Sequence, residues 1–293
     1  MVESMSIPNR TRRGRGGLAQ LSLGNLTLRG YSLAGEESFV IVPELDVVFD
    51  MGRAHRHTIG MSNVLLTHGH MDHAAGIAYY FSQRNFQGNV PGTLLLPAPL
   101  APGVNELMRA WIKIEGGRTP YKLVPMRPGD QHQLRNNLYA HALKVRHVGP
   151  SLAYAIVEQR NKLKEEYTQL SGQELVELKK QSIEISYRIE VPLVCYLGDT
   201  ARCDVFENEY VRKSRVLVGE CTFVEPDHRT RAAAGKHMHL EDWMGLLDTL
   251  ENEHIVFTHL SRRTEMEAAK QYFSERLDDQ QLGRLHFLMD RQK

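Results

Sequence analysis

Val64-Leu65-Leu66-Thr67-His68-Gly69-His70-Met71-Asp72-His73 is the stretch that decides how this chain is read. An apolar strand, Asn63–Thr67, runs straight into four metal-capable side chains held within six positions. In extended chain, alternate side chains share a face, so His68 and His70 can converge on one ion. Asp72 and His73 fall where helical spacing begins, so they can aim at a neighbouring point. Structural zinc usually closes at four ligands drawn from two segments. Two ions in adjacent sites therefore account for this density better than one. Zinc takes imidazole and carboxylate readily.

Outward from this stretch, short apolar runs alternate with helical patterns, which makes the fold class α/β. A hairpin is expected over Leu18–Leu28, and strands at Phe39–Val42, Leu45–Phe49, Thr93–Leu96, Tyr139–Arg146 and Ala153–Val157. Further strands are expected at Pro192–Leu197, Val216–Gly219 and Ile255–Thr258. Helices are expected at Ala74–Arg84, Gly103–Ile114, Met238–Leu250 and Thr264–Leu277. Residues 158–190, rich in Lys, Glu and Gln, interrupt the strand pattern and read as a surface insertion with a helix at Gly172–Lys180. That insertion is equally a solvated appendage or a lobe facing substrate. Residues 1–17, with Arg10, Arg12, Arg13 and Arg15 among glycines, read as a flexible arm ahead of one domain over 18–293.

A site with two metals needs ligands from elsewhere, and three lie at strand ends. His147 follows Tyr139–Arg146, Asp199 stands in Tyr196-Leu-Gly-Asp-Thr200, and His259 stands in Val256-Phe-Thr-His-Leu-Ser-Arg-Arg263. The simplest partition puts His68, His70 and His147 on one ion and Asp72, His73 and His259 on the other. Asp199 then bridges, because a carboxylate has two oxygens to offer. Taken singly, a His at a strand end is usually a hydrogen-bonded loop residue, so these three need further support. Two metals about 3.5–4 Å apart can share a hydroxide and clamp a phosphoryl or carbonyl oxygen, and no serine or cysteine nucleophile is then required.

Composition bounds the alternatives. The chain has 293 residues, 36 Lys+Arg against 35 Asp+Glu, 14 His and 3 Cys. A net charge of +1 excludes a wholly basic nucleic-acid coat, though not a local basic patch. Three cysteines without a CxxC pair exclude a disulfide scaffold and a thiolate zinc knuckle. No apolar run reaches the roughly 18 residues of a membrane span. The simplest compartment is the cytoplasm.

His-Gly-His-Met-Asp-His, preceded by Phe49-Asp-Met-Gly-Arg53 and followed in order by His147, Asp199 and His259, resembles the metallo-β-lactamase superfamily. The resemblance implies a four-layer αββα sandwich with two zinc ions at one edge of the sheets. It also implies that Asp50 orients the metal loop without binding metal. Within the superfamily the chain is similar, from Gly30 to Arg263, to the short, plant-type members of the ribonuclease Z family of tRNA 3′-processing endonucleases. Four further phrases carry that likeness: Gly219-Glu-Cys-Thr-Phe223, Gly235-Lys-His-Met-His239, His259-Leu-Ser-Arg-Arg263 and Lys162–Leu175.

The resemblance implies that Glu220 and His237 pair, His237 protonating the departing 3′-oxygen while Glu220 holds it. The family spacing to the last metal histidine favours His237 over His239, whose role stays open. Asp72 could bind metal and also accept a proton from the attacking water. Arg263 would touch substrate, precursor tRNA, and the resemblance also implies a homodimer. Two departures stand out: Gly69 replaces the usual Ser, and Thr264 stands where an aromatic is common. The insertion balances Lys162 and Lys164 with Glu165 and Glu166, whereas phosphate binding needs a local positive excess.

The remaining histidines carry no pattern, and Trp111 and Trp243 read as core residues of amphipathic helices. Two other functions compete with the endonuclease. One is a hydrolase of a small phosphodiester, thioester or lactone on the same fold. The other is a nucleic-acid-binding protein with a dead metal site, against which the full set of seven ligands argues.

Overall fold

The computed structural model describes residues 12–13, 18–262, 264 and 266–289. Two sheets face each other. The first runs in chain order through β1 (Arg12–Arg13), β2 (Ala19–Leu23), β3 (Leu26–Leu33), β4 (Glu37–Val42), β5 (Val47–Phe49), β6 (Asn63–Leu65), β7 (Thr93–Pro97) and β8 (Lys122–Met126). Strands β1 to β5 pair antiparallel, and β5 to β8 pair parallel. Parallel neighbours need crossover connections. Here α1 (Met71–Ala74) and α2 (Ile77–Phe86) join β6 to β7, and α3 (Ala101–Glu115) joins β7 to β8.

The second sheet holds β9 (Gln131–Arg135), β10 (Leu138–Lys144), β11 (Leu152–Leu163), β12 (Ser186–Tyr196), β13 (Val216–Glu220), β14 (His254–Thr258) and β15 (Leu285–Phe287), again side by side in chain order. Strands β9 to β12 are antiparallel and β12 to β15 parallel. The helices that follow α3 are α4 (Gly172–Lys180), α5 (Glu209–Lys213), α6 (Arg229–Gly235), α7 (Leu240–Met244), α8 (Met266–Ser274) and α9 (Asp279–Gly283).

Alternation along the strands builds the layers. Phe49 and Leu65 of the first sheet meet Ile156, Tyr196 and Val218 of the second in the central core. Phe49 stacks on Tyr196 with ring centroids 4.9 Å apart. On its outer face the first sheet packs Val48, Val64 and Leu94 against Tyr80, Phe81 and Met108 of α2 and α3. The second sheet packs Leu217 and Phe257 against Trp243, Phe273 and Leu282. The result is the four-layer αββα sandwich. No helix among the described residues is long and apolar enough to cross a membrane.

Several elements differ from expectation. Strands β11 and β12 do not stop at residue 158 and restart at 190. They run on as a paired ribbon to Leu163 and from Ser186, and the insertion is this hairpin tipped by α4. The helix expected over Met238–Leu250 is broken at Gly245, a poor helix former where an added Cβ would sit 2.9 Å from Arg202 Nη1. Trp111 is 39% exposed, outside the core, whereas Trp243 is fully buried. Arg12 and Arg13 pair with β2, and the other residues of the flexible arm expected over 1–17 lie outside the described residues.

Candidate metal centre

The strand ends at one rim of the sandwich deliver the candidate side chains to one point. The loop after β6 brings His68, His70, Asp72 and His73; β10 leads to His147, β12 to Asp199, β13 to Glu220 and β14 to His259. Asp199 is the hub. Its Oδ2 lies 3.7 Å from His68 Nε2, 3.8 Å from His147 Nε2, 3.5 Å from His73 Nε2 and 3.4 Å from His259 Nε2. On one side, His70 Nδ1 lies 3.0 Å from His68 Nε2 and 3.4 Å from His147 Nε2. On the other, His259 Nε2 lies 3.3 Å from His73 Nε2 and 3.4 Å from Asp72 Oδ2. A tetrahedral ion with bonds near 2.0–2.1 Å sets its ligands about 3.3 Å apart, so both groups have the spacing of a coordination shell. His68, His70, His147 and Asp199 form one group and Asp72, His73 and His259 a second, while Asp199 and His259 also group with His237.

The donor chemistry fits divalent metal as well. A ligating imidazole normally has its other nitrogen held by a hydrogen bond. His73 Nδ1 donates to Asp50 Oδ2 at 2.8 Å and His147 Nδ1 to the Lys236 carbonyl at 3.2 Å. Two carboxylate–threonine–histidine relays hold two more rings. The Thr67 hydroxyl donates to Asp50 Oδ1 and accepts from His68 Nδ1 at 3.0 Å. The Thr222 hydroxyl donates to Glu220 Oε2 and accepts from His259 Nδ1 at 3.0 Å. Four Nε2 atoms are thereby fixed facing inward.

Asp50 anchors the arrangement. It is fully buried and also accepts from the Thr67 amide at 2.7 Å and the Tyr196 hydroxyl at 3.1 Å. Asp50 and His259 hold left-handed backbone, with φ of 54° and 57°. Non-glycine residues adopt it rarely, and it concentrates at functional sites. Gly198, at φ 61°, lets the chain turn into Asp199: a Cβ there would sit 2.7 Å from the Thr67 side chain.

Electrostatics point the same way. Burial, reinforced by the neighbouring His73, lowers the His68 pKa to about 2, leaving a neutral imidazole free to ligate. Burial also works against the imidazolium of His73, but Asp199 and Asp50 outweigh it and raise its pKa well above normal. Burial opposes ionisation of Asp199 too, yet His259 and His73 hold its pKa well below the usual range. The buried carboxylates thus draw positive charge to the centre, a demand that a divalent cation meets directly.

Glu220 and His237 stand beside the cluster, with Glu220 Oε1 2.8 Å from His237 Nδ1. The Glu220 carboxylate is buried and also accepts from the Thr200 amide at 2.9 Å. Burial penalises a charged His237, but the charge and hydrogen bond of Glu220 prevail and raise its pKa to about 9. His239, by contrast, caps α7: its Nδ1 accepts from the Glu241 amide at 3.2 Å and its Nε2 donates to the Glu225 carbonyl at 3.0 Å. Both nitrogens are thereby used away from the cluster. Arg263 lies outside the described residues. Sequence reading assigns no role to Thr67, Tyr196, Thr200 or Thr222, although all four stand in the quoted stretches around His68, Asp199 and Glu220.

Comparison with known proteins identifies the family. A family model described as "Beta-lactamase superfamily domain" matches residues 45–260. The protein named tRNase Z TRZ1 of Arabidopsis thaliana is 31% identical over 239 residues, covering 80% of this chain and 85% of that protein. The chain belongs to the tRNase Z family of the metallo-β-lactamase superfamily. A second Arabidopsis thaliana member, named tRNase Z TRZ2, chloroplastic, is 28% identical over 86% of this chain and 72% of its own length. Human tRNase Z, short form, shares the fold with a TM-score of 0.53 at 13% identity, over 89% of this chain and 91% of that one. The metallo-beta-lactamase fold protein YhfI of Bacillus subtilis does so at 0.59 and 14% identity, over 88% and 93%. As a member of the tRNase Z family, the chain is a hydrolytic nuclease.

Proposed function

We propose that this nuclease removes 3′ trailers from precursor tRNA, using two zinc ions per chain. The observation that carries the proposal is the Glu220–His237 pair at 2.8 Å beside a two-lobed His/Asp cluster, in a chain 31% identical to a protein named tRNase Z. His68, His70 and His147 would hold one ion, Asp72, His73 and His259 the other, with Asp199 between them. When bound, the ions would supply Lewis acidity toward a phosphoryl oxygen and lower the pKa of water to about 7.

The chain's own groups then divide the proton work. Asp72 uses Oδ2 toward the cluster, at 3.4 Å from His259 Nε2, and its other oxygen can take a proton from the attacking water. His237 has Nδ1 committed to Glu220, which leaves Nε2 to protonate the departing 3′-oxygen. Products are a tRNA with a 3′-hydroxyl and a trailer with a 5′-phosphate.

Two surfaces support the partners in this reading. The hairpin of β11 and β12 with α4 projects from the domain and would contact the body of the tRNA. The exposed apolar side chains Tyr79, Phe86, Trp111 and Ile114 on α2 and α3 would pack against a second copy of the chain, completing a homodimer. The test is cleavage of an end-labelled precursor tRNA beside hydrolysis of a small phosphodiester. The proposal expects a single cut near the 3′ end that chelator abolishes. Hydrolysis of the small ester without any cut in precursor tRNA would favour a small-molecule hydrolase instead.

A further inference from the structure

Several basic side chains on this protein are held in ion pairs. Arg160 meets Glu158, Lys180 meets Glu177, Lys213 meets Glu209 and Arg229 meets Glu241. Lys144, Arg146 and Arg202 are among those that are not, and they stand together. All three are exposed, and none is ion-paired among the described residues. They line one pocket of about 700 Å³ in which Asp204 is the sole carboxylate. The apolar side chains Leu143, Val145 and Val205 line the same pocket.

The two walls of this pocket continue along the chain into the metal centre. Arg146 immediately precedes His147, and Arg202 stands three positions after Asp199. The two walls are tied together where they meet the centre: the Arg146 amide donates to Thr200 Oγ1 at 3.1 Å, and the Ala201 amide donates to the Arg146 carbonyl at 2.9 Å. Beyond Arg202 the neighbouring cavity sets Asp204, Glu207 and Asp248 against Arg212. A polyanion entering from the centre therefore meets a positive stretch of limited length.

We infer that this pocket holds the single-stranded RNA next to the cleaved bond, one or two nucleotides long. The inference rests on the nuclease reading above and gives it a substrate feature. Unpaired cations on a rim recognise phosphates, and the aliphatic side chains between them offer apolar contact to a base that is free of a duplex stack. An A-form duplex keeps its bases stacked inside and presents only its backbone and minor groove, so it cannot use that surface. A pocket of this volume matches one small ligand, not a helix.

The test is binding of a fluorescent single-stranded oligoribonucleotide to the metal-loaded full chain, followed by anisotropy across a salt series. The K144A/R146A/R202A variant is compared with the parent at equal metal content and equal thermal midpoint. Each single-strand phosphate contact carries a log–log salt slope of about −0.7. Losing three contacts should flatten the slope by about 2 and weaken binding about 100-fold at 0.1 M salt. Binding of a blunt RNA duplex should change far less. Unchanged oligonucleotide affinity and slope in the variant would overturn the inference, as would no binding by the parent. Equal losses for strand and duplex would also overturn it, since the cations would then act as general attraction. Oligonucleotide binding that depends on the three cations, in a protein that leaves precursor tRNA uncut, would refute the proposed reaction while supporting the pocket.

Discussion

Replacing His237 by Ala tests the proposed proton donor with little structural disturbance. The ring is partly accessible, and its loss leaves buried Glu220 still accepting from the Thr200 amide at 2.9 Å, the Thr222 amide at 3.3 Å and the Thr222 hydroxyl. The carboxylate is therefore not stranded, and the fold should hold. A positioned general acid contributes about 10²–10⁴-fold, or about 2.7–5.4 kcal/mol at 1.36 kcal/mol per tenfold. Cleavage of precursor tRNA should fall by at least about 100-fold. The assay compares kcat on precursor tRNA with kcat on a small phosphodiester carrying a nitrophenolate leaving group. That leaving group departs as an anion without a proton, so its hydrolysis should fall much less. Metal content should not change. Equal losses on both substrates would refute the proton-donor role. Loss of metal would make His237 a ligand, a role its grouping with Asp199 and His259 makes concrete.

Three further outcomes are expected. Asp50→Ala leaves buried donors on Thr67, His73 and Tyr196 without their acceptor; metal affinity should drop about 10–100-fold, and the thermal midpoint should fall, both read by titration calorimetry and thermal denaturation. In metal-free protein the His237 pKa is raised to about 9 from an ordinary 6.5. The stability it adds is therefore fully present below pH 6.5 and lost as pH rises through about 9. That contribution is at most about 3 kcal/mol, and Glu220→Gln should flatten this part of the stability profile in denaturant melts with chelator. Joining Lys164 to Ile185, whose backbones already meet at 2.9 Å, by a two-residue turn removes α4. Cleavage of precursor tRNA should suffer more than hydrolysis of a small phosphodiester, and equal losses would make the hairpin tip scaffold.

The cluster was legible because its residues are dense and follow strands. His68, His70, Asp72 and His73 sit within six positions, and Asp199 and His259 close apolar runs that had to be strands. Buried strands declare themselves through such runs, so β12, β13 and β14 were all expected. Edge strands do not. β9, Gln-His-Gln-Leu-Arg, is polar because one edge faces solvent, and β15 has only three residues. The ribbon beyond Val157 was missed for the same reason: neither face of its outer half is buried, so no alternation marks it. Supporting groups were hidden more deeply. Tyr196 reaches Asp50 across the sheet interface, from 146 positions away in the chain, and local sequence carries no trace of that contact. The family spacing favours His237 over His239, but the physical reason and the role of His239 needed the fold. Only the turn after α6 shows one ring against Glu220 and the other capping α7.

The most direct test of the central claim is the chemistry of the ends after precursor-tRNA cleavage, read by mass spectrometry. The account predicts a tRNA ending in a 3′-hydroxyl and a trailer beginning with a 5′-phosphate, formed only when metal is present. A 2′,3′-cyclic phosphate on the tRNA, or the same cleavage after complete metal removal, would contradict it.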